Sequence, residues 1–372
     1  MSKLSIVIVG GGVGGLTAAL ALRKLGHDAS IFEQASQFTR VGADINLTPN
    51  AVRALDGLGI GDAIRATAAR PTYRISRTWD TGEETSRLPM GDEAEKLYGA
   101  PQLTIHRADI LKALTDSLPA DCIRFGQRVQ AIDTSAKGPS LTMANGEIIK
   151  ADVIIGADGI HSIVRAALFG PDKPEFTGLI AFRAVVPQSS LSVPNLDAFT
   201  KWWGPTPDRQ IVTFPLNQGR ETFVFATKEQ DWKHESWTTD GDPEELRATY
   251  ADFYPEAQAL LAPVSDVKKS ALNVRNPMKS WSSGAVVLLG DACHPMMPFM
   301  AQGAGMAIED AVVLARALSE RPVTQAVAAY EAARLDRTAK VQIGSRGNEW
   351  LRTDGNVDWL YGYDAWTAPL GA

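Results

Sequence analysis

The stretch that decides the fold is Leu4-Ser5-Ile6-Val7-Ile8-Val9-Gly10-Gly11-Gly12-Val13-Gly14-Gly15, closed by Ile31-Phe32-Glu33 further on. Leu4 to Val9 reads as a strand, the glycines as a tight turn, and Thr17 to Leu25 as part of a helix. Gly10 permits the turn, Gly12 lets the backbone approach a pyrophosphate, and Gly15 lets the helix pack closely on the sheet. The helix after the turn faces the anion with its N-terminus, and Val13 and Gly14 of the turn are counted among the cofactor contacts. Glu33 ends the next apolar run at roughly the ~20-residue offset of an acid that holds ribose hydroxyls. The pattern predicts an adenine dinucleotide site.

Two later segments narrow the choice of dinucleotide. Ala151-Asp152-Val153-Ile154-Ile155-Gly156-Ala157-Asp158 reads as a short buried strand, and Gly159-Ile160-His161-Ser162 leads into a new helix. Gly284 to Leu289 is another apolar strand, ending in Gly290-Asp291 and running through Cys293-His294-Pro295 and Pro298 to Gly303-Ala304-Gly305 and a helix with Glu309 and Asp310. In order and spacing, the three segments resemble the signatures of single-component flavoprotein aromatic hydroxylases, whose cofactor is FAD. Chemically, Asp291 is placed to accept from a ribityl hydroxyl, and the turn and helix start beyond it offer N–H donors to phosphate or a flavin carbonyl. Asp158 suits either a cofactor contact or a helix N-cap.

The resemblance spans nearly the whole chain. Phe38-Thr39-Arg40-Val41-Gly42-Ala43, Leu47-Thr48-Pro49-Asn50 and Ile105-His106-Arg107-Ala108-Asp109 are similar to segments of the salicylate and 6-hydroxynicotinate hydroxylase branch. The ending Trp359-Leu360-Tyr361-Gly362-Tyr363-Asp364 is similar to the 6-hydroxynicotinate members. The resemblance implies that Arg107 lies along the FAD and that Arg40 approaches the flavin ring; a structural ion pair is the plainer role for each. It also implies departures: 6-hydroxynicotinate hydroxylases carry histidine where this chain has Asn46 and Phe299, and tyrosine where it has Phe214. Lost hydrogen-bonding groups change which substituent a buried site accepts, so the substrate does not transfer with the fold.

The fold class expected is α/β: a Rossmann-like FAD-binding domain, an inserted β-sheet substrate domain and a C-terminal helical segment. Residues 1–75, 100–175 and 273–335 alternate short apolar strands with helices and form the discontinuous FAD-binding domain. Residues 76–99 and 176–272 form the substrate domain. Its runs Leu179 to Val186, Ala198 to Trp203, Gln210 to Leu216 and Thr222 to Thr227 suggest an antiparallel sheet, which Tyr73 to Leu88 joins. Asp242-Pro243 caps a helix that covers one side of it. Residues 336–372 hold the end of an Ala/Arg-rich helix, Val323 to Val341, and an aromatic tail with Trp350, Trp359, Tyr361, Tyr363 and Trp366. Those rings read as a packed cover, or else as a substrate clamp.

With 372 residues, 45% hydrophobic and 22% charged, the chain can bury a large core. A net charge of -6 without a basic run gives no support to nucleic-acid or anionic-lipid binding. The start enters a strand without a signal-peptide pattern, and no apolar run reaches bilayer length, so a cytoplasmic protein is expected. Cys122 and Cys293 read as buried and reduced. His27, His106, His161, His234 and His294 show no metal-ligand spacing, and His294 beside Asp291 suits scaffold or cofactor support. No G-x-S-x-G elbow indicates a hydrolase.

Candidate substrate contacts are Asn46, Arg183, Gln210, Phe214, Pro298 and Phe299. Phe214 and Phe299 can stack on an aromatic ring or simply fill the core. Arg183 can clamp a carboxylate through both oxygens or form an ordinary ion pair. No catalytic base is assigned. The family implies an FAD-dependent monooxygenase, with tightly bound FAD and transient NADH or NADPH. It would hydroxylate a small hydroxylated aromatic or N-heteroaromatic carboxylate through a flavin C4a-hydroperoxide, with or without decarboxylation, as a monomer or homodimer. A dehydrogenase or oxidase without oxygen insertion, and a noncatalytic redox sensor, are the alternatives.

Overall fold

A computed structural model describes residues 3–40, 44–134, 138–232, 239–347 and 356–371. Val41, Gly42, Ala43, His234 and Trp350 lie outside the described residues. A six-stranded sheet runs in the order Ser282–Ser283, Val286–Leu288, Val153–Gly156, Ser5–Val9, Asp28–Phe32 and Ile123–Arg124, parallel except at the first pair. Its central strands are nearly continuous apolar runs because helices cover them. Ser5–Val9 lies between Asp28–Phe32 and Val153–Gly156, so the strand order reverses beside it. In such sheets the crevice at the carboxyl ends of the strands, where the order reverses, holds the ligand. Gly10, Asp158 and Gly290 all follow strands that end there.

A second, seven-stranded sheet runs Lys268–Val274, Glu175–Pro187, Glu221–Glu229, Gln210–Leu216, Phe199–Trp203, Tyr73–Thr78 and Glu84–Pro89. The expected all-antiparallel arrangement needs one correction, because Phe199–Trp203 pairs with Tyr73–Thr78 in parallel. Strands that far apart in sequence are free of the hairpin constraint that forces antiparallel pairing. Alternation sorts the side chains between two faces. On the outer face, Ile180, Phe182, Trp202 and Ile211 meet Leu246, Tyr250 and Phe253 of the region around the helices Pro243–Thr249 and Pro255–Leu261. Asp242 caps the first of these by accepting from the Glu244 amide at 2.8 Å. On the inner face, Leu179, Val212, Phe214, Phe223 and Phe225 pack against Met297 and Phe299, from the loop that follows Asp291.

The small antiparallel pair Asp44–Leu47 and Leu103–His106 connects the two sheets, with the Thr104 hydroxyl donating to the Pro215 carbonyl at 2.6 Å. The C-terminal helix extends over Val323–Arg346, beyond the expected end at Val341. The tail after it packs as a cover: Trp366 donates to the Ala54 carbonyl at 3.0 Å, and Tyr361 meets Tyr98 edge-on. No helix among the described residues is long and apolar enough to cross a membrane.

Candidate functional site

The glycine turn closes as its sequence requires. Gly10 has φ +103°, and a Cβ on it would lie 2.4 Å from the Ala157 carbonyl oxygen. A Cβ on Gly15 would lie 2.0 Å from the Gly10 oxygen, so the helix approaches to a distance only glycine allows. At Gly12 the same construction meets nothing within 4 Å: this backbone faces open space, as a phosphate cradle must. Glu33 is fixed by two amides, Gly11 at 2.7 Å and Ala35 at 2.8 Å, which orient its remaining lone pairs.

Arg107 is the first residue of the helix Arg107–Asp116, which His106 caps by accepting from the Ala108 amide at 3.1 Å. Its side chain is exposed yet hemmed in by protein; burial lowers its pKa, while Glu33 and Asp291 act in the opposite direction. Asp291 is likewise exposed, and no hydrogen bond or ion pair among the described residues engages its carboxylate. Desolvation raises its pKa, against the pull of His294 and Arg107. Glu33, Arg107 and Asp291, from three distant segments, thus share one crevice with the glycine turn. Asp158 is spent differently: it accepts from the Ser162 hydroxyl at 2.5 Å and the Ile163 amide at 2.7 Å, supporting the start of the helix Ile163–Phe169, whose N-cap is Ser162. Arg40 pairs with Asp109 at 2.7 Å and reaches Glu221 at 3.8 Å.

The helix Gly303–Glu320, which begins at Gly303-Ala304-Gly305, is held by a buried polar knot. Arg334 bridges Glu309 at 2.5 Å and Asp310 at 2.7 Å, all three fully buried. Arg337 and Asn50 also donate to Glu309, and Gln302 links Asn50 to Thr48. Asp310 takes the His294 ring at 2.5 Å and the Gly290 amide at 3.1 Å, so the knot sets the turn that carries Asp291. Cys293, His294 and Asp310 converge within 4.8 Å, a cluster that histidine spacing did not reveal. Here the Arg334 guanidinium already serves as the cation for Asp310, and burial pushes the Cys293 thiol well up, toward its protonated form.

The inner face of the seven-stranded sheet is a grid that the strand register defines. One row across it reads Phe223, Phe214, Phe199 and Arg74. The next reads Arg183, Phe225, Val212, Lys201 and Ser76, and the third Ala181, Thr227, Gln210, Trp203 and Thr78. Phe214 is stacked on Phe199 at 5.2 Å and tilted against Phe223 at 5.1 Å, so it belongs to a phenylalanine row. Phe299 covers the grid from the opposite side, while Pro298 beside it is exposed.

Asn46 is buried on the bordering strand, accepting from Gln102 at 3.4 Å and donating to Asp44 at 3.3 Å. Asp44 and Arg183 act on each other: burial pushes the Asp44 carboxyl up to about 7 against the pull of Arg183. Burial also brings the Arg183 guanidinium down to about 10, which Asp44 opposes. Arg183 donates further to Ser270. Asp44, Lys201 and the Arg334 knot were missed by sequence reasoning. The acid at 44 falls between two segments read only for their resemblance, and Lys201 looked like any polar residue of a strand.

The profile of the FAD binding domain family matches residues 3–343. The chain is 39% identical to 6-hydroxynicotinate 3-monooxygenase of Bordetella bronchiseptica, over 99% of this chain and 97% of that protein. It is 37% identical to 3-amino-4-hydroxybenzoate 2-monooxygenase of Streptomyces cremeus, over 92% and 86%. Among solved structures it superposes on a salicylate hydroxylase substrate complex with a TM-score of 0.82 at 27% identity, covering 98% of this chain and 96% of that one. The open backbone at Gly12 and the unengaged Asp291 carboxylate fit the dinucleotide and ribityl parts of FAD. The chain belongs to this family of FAD-dependent aromatic hydroxylases and is an enzyme of the flavoprotein monooxygenase class.

Proposed function

We propose that the protein hydroxylates a small hydroxylated aromatic or N-heteroaromatic carboxylate, using NADH or NADPH and molecular oxygen. The observation that carries this reading is the apposition of two surfaces: the crevice of Gly12, Glu33, Arg107 and Asp291, and the aromatic, cation-bearing inner face closed by Phe299. Bound FAD supplies the redox chemistry and oxygen activation. In this proposal Glu33, Arg107, Asp291 and the helix start at Gly303-Ala304-Gly305 hold the cofactor. Phe225, Val212 and Phe299 enclose the ring and exclude water. Asp44, with its carboxyl near 7 beside Asn46 and Arg183, is the acceptor for a proton from the ring hydroxyl, which raises the ring's electron density.

The test is turnover of a carboxyl-labelled hydroxy acid under isotopically labelled oxygen. One labelled oxygen atom in the product is expected. Released labelled carbon dioxide assigns decarboxylative hydroxylation, and retained label assigns plain hydroxylation. A dehydrogenated product with no oxygen from the gas would overturn the monooxygenase reading.

A further inference from the structure

On the grid of the inner face, Gln210 stands out. It is 1% exposed, and alone among the described residues it leaves both of its side-chain polar atoms buried without a hydrogen-bond partner. Leaving a buried polar atom unsatisfied is costly, so a pair of them on one side chain marks a place where a partner fits. An amide presents one donor and one acceptor side by side, and the partner it calls for does the same in reverse. This holds whichever way the amide is turned.

Lys201 lies diagonally across the neighbouring strand from Gln210, because Lys201 pairs with Val212 and Trp203 pairs with Gln210. Its side chain is 6% exposed, with the ammonium 3.5 Å from the centre of the Trp203 ring and 5.9 Å from that of Phe299. The two rings place the cation between the sheet and the loop that follows Asp291. Arg183 stands in the same row as Lys201, separated from it by Phe225 and Val212. That is three strand spacings, roughly 14 Å along the backbone. The grid therefore has an apolar floor with a cation at each end. The two ends differ, since a carboxylate arriving at Arg183 must compete with the Asp44 carboxyl for the guanidinium.

We propose that Lys201, with the Gln210 amide beside it, receives the carboxylate of the substrate, and that the Gln210 oxygen selects a donor, O–H or N–H, on the neighbouring ring atom. This assignment rests on the aromatic-acid reading above and deepens it. It moves the carboxylate from Arg183 to Lys201 and turns the far end of the ring toward Asp44, so the proton that Asp44 accepts comes from a hydroxyl or tautomer para to the carboxylate, while the ortho donor stays on Gln210. An ortho-hydroxy, ortho-amino or equivalent heteroaromatic acid fits the donor–acceptor pair, and a carboxamide lacks the charge.

The test uses the FAD-loaded protein and three acid–amide pairs: salicylate and salicylamide, 6-hydroxynicotinate and 6-hydroxynicotinamide, and 3-hydroxybenzoate and 3-hydroxybenzamide. Binding is read from the perturbation of the flavin absorbance, independently of turnover. Wild type is expected to favour the better acid over its amide by roughly ten- to hundredfold, the size of a hydrogen bond to a buried charge. Lys201→Met should abolish that preference while binding the amide as wild type does, and Lys201→Arg should restore much of it. Arg183→Met should leave the acid-to-amide ratio in place. Retention of the ratio in Lys201→Met, or its loss only in Arg183→Met, overturns the assignment while the aromatic-acid reading stands. If no acid of the panel perturbs the flavin of wild type, that reading and this assignment fall together.

Discussion

The cofactor crevice and the inner face of the seven-stranded sheet solve the problem of buried polarity in opposite ways. Behind the crevice most polar groups are tied down, with His294 Nδ1 the exception in the network. Glu33 is held by two amides, Asp158 by its own helix, and Glu309 and Asp310 by Arg334, Arg337, Asn50 and His294. On the sheet face the Gln210 amide is left open, and Asp44 is buried at a cost that Arg183 offsets only in part. A saturated network fixes one geometry, whereas an unsaturated one is completed by a ligand. The difference teaches that this chain spends its rigidity behind the glycine turn and leaves the Gln210 amide open on the sheet face.

The sharpest way to break the crevice is Gly15→Ala. The added carbon would stand 2.0 Å from a backbone oxygen that cannot move without opening the turn. We expect little folded, yellow protein, measured as FAD per chain in the soluble fraction. Next in size is Arg334→Met, which leaves the buried Asp310 without its guanidinium and Glu309 with Arg337 as its remaining arginine. A loss of about 3–5 kcal/mol is expected in denaturant unfolding of the cofactor-free protein. A loss under about 1 kcal/mol would show that the knot is not what holds the helix start.

Smaller, and more selective, is the contrast between two aspartates. Asp291→Ala should weaken FAD binding about ten- to hundredfold with little change in apoprotein stability, because its carboxylate supports no other group. Asp158→Ala should do the reverse, costing roughly 1 kcal/mol of stability as a lost cap while FAD affinity changes far less. Equal FAD affinity in wild type and Asp291→Ala, with both folded, would remove the ribityl role.

The Asp44 effect is confined to part of the pH range, and its sign can be checked. In the folded apoprotein it keeps its proton up to about pH 7, while the unfolded chain releases it near 3.8. Its contribution to stability is therefore full below the unfolded value and declines as pH rises through 7. Asp44→Asn should remove that decline, making the variant more stable than wild type above pH 7 by roughly 1–3 kcal/mol, with the gap closing below pH 4. A constant gap between the two proteins from pH 4 to 8 would contradict the raised carboxyl.

The glycine turn, the two later strand-to-helix segments and the Asp242 cap were legible because each is local: the residues that make the feature adjoin the residues that need it. The four strand runs of the second sheet were legible from alternation and turn residues. Their register was not, and register is what turns Arg183, Lys201 and Gln210 into one surface. The parallel pairing of Phe199–Trp203 with Tyr73–Thr78 joins segments over a hundred residues apart, which no local pattern encodes. Arg334 read as one of several arginines on a helix, because its acids lie on a different helix, and Asp44 gains its raised carboxyl from burial against distant segments, with Arg183 opposing.

The division of labour between the two regions is tested most directly by the FAD dissociation constant of the double variant Lys201→Met, Gln210→Leu, measured beside its preference for aromatic acids over their carboxamides. The account predicts FAD affinity within about threefold of wild type, because both substituted groups stand on strands of the second sheet rather than on the glycine turn or the segments of Glu33, Arg107 and Asp291, and an acid preference that has disappeared. Loss of FAD binding by more than about tenfold in a folded variant, or an acid preference kept intact, would contradict it.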